Sequence, residues 1–154
     1  MQDQNGWFDN ITIEIDRQKQ KFSPREHKVY KIDLLIRISK RLNDYFPDCI
    51  DCQNMKREME IVVCSLDNLV QSSREEQKNY FNAIDNIVKH LKEKHHLISE
   101  GQNLALWLPL GIGIGLPLGI PMGNIALGIP IGLAIGAAIG VSLDAKAKRE
   151  GRVI

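Results

Sequence analysis

From Leu104 to Leu143 the chain carries no charged side chain, and it alternates large and small residues over nearly all of these forty positions. Leu110, Ile112, Ile114, Leu116, Leu118, Ile120 and Met122 alternate with glycine and proline. After Asn124 the phase flips, and Ile125, Leu127, Ile129, Ile131, Leu133 and Ile135 alternate with glycine, proline and alanine. Apolar runs beyond about 18 residues read as membrane spans. The run is also an internal repeat: Gly111, Gly115, Gly119 and Gly123 map onto Gly128, Gly132, Gly136 and Gly140 with a constant shift of 17. Gly123-Asn124 at the boundary is a favoured turn pair. Two arms of about 18 residues each reach about 27 Å, close to the roughly 30 Å hydrocarbon thickness. A single forty-residue helix would be about 60 Å long. The pattern therefore predicts a hairpin of two membrane helices over 104–143.

Period-2 alternation is also a strand signal. Pro109, Pro117, Pro121 and Pro130 weigh against strands, because each removes a ladder donor from a sheet that would have no free edge. On a helix, positions two apart lie on opposite sides. Each arm then has a glycine ladder on one side and a second small face opposite: Pro109, Gly113, Pro117 and Pro121 on the first arm, Ala126, Pro130, Ala134 and Ala138 on the second. Small faces let backbones approach closely. Small faces on both sides predict a homo-oligomer with the eight ladder glycines at its interfaces; the competing reading is that the two arms pack only on each other.

Residues 1–103 are polar and charged, with apolar positions at helical spacing. Ser23-Pro24-Arg25-Glu26 is a capping box with proline at the first helical position. It predicts a helix carrying Val29, Ile32, Leu35, Ile36, Leu42 and Phe46, stopped by Pro47. Met55, Met59, Val62, Leu66 and Leu69 mark a second helix over roughly 51–71. A second capping box, Ser73-Arg74-Glu75-Glu76, opens a third with Tyr80, Ile84, Ile87, Leu91 and Ile98 on one face. Residues 99–103 read as a hinge. Residues 1–22 stay open, since Ile11-Thr12-Ile13-Glu14-Ile15 fits a short strand or an extended arm. The fold expected is all-α: a cytoplasmic helical bundle over 1–103, a transmembrane hairpin over 104–143, and a basic cytoplasmic tail over 144–154.

Charge sets the topology. Lys89, Lys92 and Lys94 precede the apolar run, and Lys146, Lys148, Arg149 and Arg152 follow it. Basic residues on both flanks predict both termini in the cytoplasm, and Trp107 fits an interfacial position. The polar, acidic opening Met1-Gln-Asp-Gln-Asn is no signal peptide. A net charge of +1 argues against nucleic acid as a partner. Three cysteines fit a reducing compartment. No nucleophile–base pairing, phosphate loop or paired-carboxylate motif is present, so an enzyme is not expected.

A small bundle often needs a staple. Cys49-Ile50-Asp51-Cys52 is C-x-x-C, and His90 and His95 form H-x-x-x-x-H. These spacings fit a structural zinc site with two cysteines and two histidines. If the second and third helices run antiparallel about Ser72, the residue opposite Cys52 is about 92, between the two histidines. His96 is an alternative to His95. The competing reading is a pair of reduced thiols and solvated helix-end histidines. Cys64 reads as core and His27 as surface.

The chain resembles a group of small bacterial glycine-zipper membrane proteins, in which a helical region with C-x-x-C and a histidine pair precedes an apolar glycine-rich tail. The matching residues are Cys49, Cys52, His90, His95, Glu100-Gly101, the run 123–128 and the basic ending 144–148. The resemblance covers about the last two-thirds of the chain. It implies a bacterial inner-membrane location and brings no activity with it. The function expected is a homo-oligomeric pore or permeabilising assembly controlled by its head; the alternative is a membrane-tethered interaction module whose zipper only clusters the heads. The lipid bilayer and a second copy are the expected partners. Nothing in the sequence names a protein partner for the head.

Overall fold

The computed structural model describes residues 4–121 and 123–154. Met1 to Asp3, part of the polar opening, and Met122, one of the large alternating residues, lie outside the described residues. Two compact units divide at His96/Leu97.

The first unit is helical throughout. α1 (Gln4–Lys19) is followed by α2 (Pro24–Val29), α3 (Ile32–Tyr45), α4 (Ile50–Ser65), a 3₁₀ turn (Leu66–Asn68) and α5 (Arg74–His95). The open question over residues 1–22 resolves, over Gln4–Lys19, to a helix. Ile11 and Ile15 are buried, four positions apart, as one face of a helix requires. Trp7 donates from Nε1 to Glu60 on α4 at 2.7 Å. The Lys56 ammonium lies 4.5 Å from the Trp7 ring centre and 3.8 Å from that of Phe46, and donates to Asn43. Burial lowers the Lys56 pKa.

Both capping boxes form, with Ser23 and Ser73 each accepting from the backbone three residues on and each glutamate answering. The helix expected from Pro24 to Phe46 is instead broken at Tyr30-Lys31, where Lys31 takes a left-handed φ of 53°. The break is tertiary in origin. The Tyr80 hydroxyl donates to the Tyr30 carbonyl at 2.7 Å, and the Tyr30 ring packs against Phe22 and Phe81. The turn moves Val29 into solvent, 59% exposed, and re-phases α3 so that Ile38 rather than Ile36 is fully buried. The core is Ile15, Ile32, Leu35, Ile38, Leu42, Met59, Leu66, Ile84, Ile87 and Leu91, with Tyr80 at its edge. Cys64 is exposed, not core, because it falls outside the buried Met59–Val62–Val63–Leu66 face of α4. Ile98 lies beyond the end of α5.

The second unit is an antiparallel pair, α6 (Gln102–Gly119) and α7 (Ile125–Arg149). Gly123 turns the chain with φ +71°, and the Asn124 side chain caps α7 by accepting from Ala126 at 3.0 Å. Glycines interlock along the seam. A Cβ built on Gly111 would meet the Gly132 carbonyl and stand 2.8 Å from Gly136 Cα. One on Gly115 would meet the Gly128 carbonyl and stand 2.7 Å from Gly132 Cα. Gly119 faces Ile125, and Gly140 faces Leu104. Seven of the eight glycines expected at contacts between copies therefore lie against the chain's own other arm. The eighth, Gly123, is in the turn.

The base of this pair is closed. Asp144 is the next rung after Gly128, Gly132, Gly136 and Gly140, four residues on. Its carboxylate accepts from the Asn103 backbone (3.1 Å), the Asn103 side chain (2.9 Å) and the Leu104 backbone (3.1 Å). It thereby satisfies the Asn103 and Leu104 N–H groups in the first turn of α6, while the Gln102 N–H donates to the Ser99 carbonyl. Gly151, at φ +68°, ends α7, and the Arg152 N–H reaches back to the Ala147 carbonyl at 2.9 Å in the Schellman pattern. The chain then runs alongside Ile98, which donates to Arg152 and accepts from Ile154. Leu97, Ala147 and Ile154 are buried there. The expected hinge and the expected tail are thus hydrogen-bonded to each other.

Of the two expected membrane helices, one, Ile125–Arg149, is long and apolar enough to cross a membrane. Only 22% of its apolar stretch is buried within the protein, which separates it from an ordinary core helix. α6 is shorter and holds Pro109 and Pro117.

Candidate metal centre

Pro47 stops α3, and two residues later Cys49 becomes the residue preceding α4, in extended conformation with φ −132°. C-x-x-C then spans the cap and the third helical position, so both thiols sit in the first turn. A helix N-terminus and its partial positive charge favour thiolates. α5 runs antiparallel to α4 and brings His90 and His95 to the same end. His95 is its last residue, and His96 caps it with a left-handed φ of 53°.

The four ligand atoms lie within 4.8 Å of one another. Cys52 Sγ stands 3.4 Å from His90 Nε2 and 3.3 Å from His95 Nε2, and Cys49 Sγ stands 3.5 Å from His90 Nε2. A tetrahedral zinc ion with Zn–S near 2.3 Å and Zn–N near 2.0–2.1 Å places neighbouring sulfur and nitrogen about 3.6 Å apart. The three sulfur–nitrogen separations fall close to that edge length. The donor set and its spacing therefore fit a tetrahedral metal ion, with no fourth position left for water.

The surroundings hold the ligands in place. The Tyr45 ring stacks on His95 at 3.9 Å between centres and 18° between planes, and His90 meets His95 edge-on at 5.3 Å. Burial of the Cys52 thiol pushes its pKa up to about 12, with the Cys49 sulfur beside it adding to the effect. Burial lowers the His95 pKa, as do the neighbouring His90 and His96, so its imidazole is neutral and free to ligate near pH 7. Without a cation the Cys52 thiol holds its proton. A metal ion would supply the charge that removes it.

All four residues expected from spacing come together, and His95 rather than His96 joins the group. His27 is half-buried, its Nε2 2.9 Å from the Lys19 carbonyl. Tyr45 and Lys56 are the neighbours that spacing alone missed. Tyr45 lies four residues before Cys49, across a proline, and nothing local marks it. Lys56 was legible as the residue one turn after Cys52, but its two aromatic neighbours come from distant elements. Comparisons with family models, with curated proteins and with solved structures each return no match to this chain. The likeness to glycine-zipper membrane proteins rests on this Cys/His cluster and on one apolar C-terminal helix.

Proposed function

We propose that the protein is a membrane-tethered interaction module: a helical head, stapled by one structural zinc ion at Cys49, Cys52, His90 and His95, carried on a two-helix membrane anchor. The observation that carries this reading is the outward direction of the large apolar side chains in the second unit. Leu106, Leu110, Ile114, Leu116, Leu118, Ile120, Ile125, Leu127, Ile129, Ile131, Leu133 and Ile135 are all at least 38% exposed. The inward seam is glycine against the backbone of the opposite arm. Water would not tolerate an apolar surface of this extent on a monomer. Lipid tails would cover it. With the ends of the pair joined at one base, both would lie on the same side of the bilayer, and the basic flanks favour the cytoplasmic side for them.

The pore reading draws less support from this arrangement. Seven ladder glycines are occupied within the chain, and the outward surface of 104–143 offers only Asn124 and Ser142 as polar side chains. Association of copies, if it occurs, would use the second small faces. Four protein ligands fill a zinc ion's tetrahedron, so the metal would stabilise the head and not catalyse.

The test combines two measurements on the intact protein. Membranes from expressing cells are washed at alkaline pH, and purified protein is reconstituted into dye-loaded vesicles. The tether reading expects the protein to stay in the washed membranes and the vesicles to keep their dye. Dye release that scales with protein would overturn it in favour of a pore, and loss of the protein to the wash would overturn the anchor itself.

A further inference from the structure

Where α6 begins and α7 ends, the second unit forms an open cavity of about 260 Å³. Val141, Ala145 and Val153 form its apolar walls, and Glu100, Asp144 and Lys148 bring charge to it. Glu100 is the last charged residue before the forty-residue uncharged run, and Asp144 is the first after it. On the membrane reading proposed above, on which this inference rests, the cavity lies at headgroup level.

The Asp144 charge is fixed in place. Three N–H groups from Asn103 and Leu104 orient the Asp144 carboxylate. An ionised carboxylate has about four acceptor sites, so capacity remains for a further donor. Of the basic residues at this end, Lys146 and Arg152 both pair with Glu150. No ion pair holds the Lys148 ammonium among the described residues. The cavity therefore offers Asp144 carboxylate oxygens to a cation and the Lys148 ammonium to an anion, beside apolar side chains.

We infer that this cavity binds the headgroup of an ethanolamine phospholipid. The primary ammonium of ethanolamine donates hydrogen bonds to the Asp144 carboxylate, and its phosphate accepts from Lys148. A choline headgroup has the same charges but no N–H to donate. A glycerol headgroup has no cation. Pockets that enclose whole small ligands run to about 300–1,000 Å³. This one is sized for the polar head, with the acyl tails lying along the exposed leucines and isoleucines of the two helices.

Full-length protein is released from mixed-lipid vesicles and read by native mass spectrometry, with ethanolamine, choline and glycerol phospholipids at equal mole fraction. Soluble O-phosphoethanolamine is added as a competitor. Ethanolamine lipid should be retained over choline lipid by at least about tenfold, since charged hydrogen bonds of this kind each carry roughly that factor. Ala145→Trp, which fills the cavity from an exposed helix position, should abolish the preference, and Lys148→Ala should weaken it. Displacement by O-phosphoethanolamine would identify the headgroup as the recognised part, whereas retention that only intact lipid supports would reject that assignment. Equal retention of ethanolamine and choline lipids, or an unchanged preference in Ala145→Trp, would overturn the proposal. Recovery in washed membranes is scored on the same preparations. Protein that is membrane-bound yet indifferent to headgroup defeats only the cavity assignment, and protein that is not membrane-bound defeats the anchor.

Discussion

Replacing Gly115 by alanine adds one methyl group at the tightest part of the seam. Its Cβ would meet the Gly128 carbonyl oxygen and stand 2.7 and 2.8 Å from the Gly132 Cα and N. All three neighbours are backbone, so no side chain can swing away and the arms themselves must part. A gap of about 0.5–1 Å forfeits a quarter to a half of the dispersion attraction along the contact. Overpacking of this kind costs about 1–3 kcal/mol. Against that, alanine gains about 0.5–1 kcal/mol over glycine in a helix interior. The expected net loss is about 1–2 kcal/mol. Gly113, two residues earlier on the opposite face, supplies the control: a Cβ there meets nothing within 4 Å. Gly113→Ala should keep the propensity gain and stabilise the pair by up to about 1 kcal/mol. The same chemical change should thus have opposite signs at two neighbouring glycines of one helix. Titration of the intact protein from mild detergent into dodecyl sulfate, followed by Trp107 fluorescence in a Trp7→Phe background, measures both. Equal midpoints for the two variants would refute the seam as the packing surface.

Three further outcomes are expected. Cys52→Ser should remove most bound zinc, read by elemental analysis of intact protein purified without chelators, and should lower the head's thermal stability along with it. Because binding requires two thiolates and neutral imidazoles, zinc release should increase as pH falls. His95 points the same way: its folded pKa is depressed, so the stability it contributes is present above its ordinary value and lost as pH falls through the lowered one. A chromophoric zinc chelator at stepped pH reads the release, and release independent of pH would contradict the ligand set. Ser73→Ala should cost the head about 1 kcal/mol in chemical denaturation, because the hydroxyl that accepts from Glu76 N–H at 3.2 Å is lost, and an unchanged midpoint would mean that α5 is held by packing alone.

The parts of this structure that were legible in the sequence are those set by local chemistry. Ser23 and Ser73 announce their helices because a capping box satisfies itself within four residues. Gly123-Asn124 announces the turn for a similar reason. The four residues of the candidate metal centre were legible because an antiparallel helix pair is simple enough that counting from Ser72 predicts which residues meet. The break at Lys31 was not, since a hydroxyl from Tyr80, fifty residues away, draws the Tyr30 carbonyl. The role of Asp144 was present in the four-residue ladder that runs from Gly128 through Gly140. Its partner Asn103 becomes apparent only once the arms are folded against each other. The glycine ladders were legible as close-packing faces, but a face does not name the helix that covers it.

The glycine seam also bears on how the second unit would respond to a membrane potential. Each helix carries about half an elementary charge of opposite sign at its two ends. α6 and α7 run in opposite directions at backbone contact, so these fields largely cancel. The Asp144 carboxylate neutralises much of the positive end of α6, and no ionised side chain lies between Leu104 and Leu143. A potential acts on a protein in proportion to the charge it can move across the bilayer, about 2.3 kcal/mol per elementary charge per 100 mV. In this pair there is almost none to move. An anchor built on these lines would hold its conformation across the full range of an energised membrane.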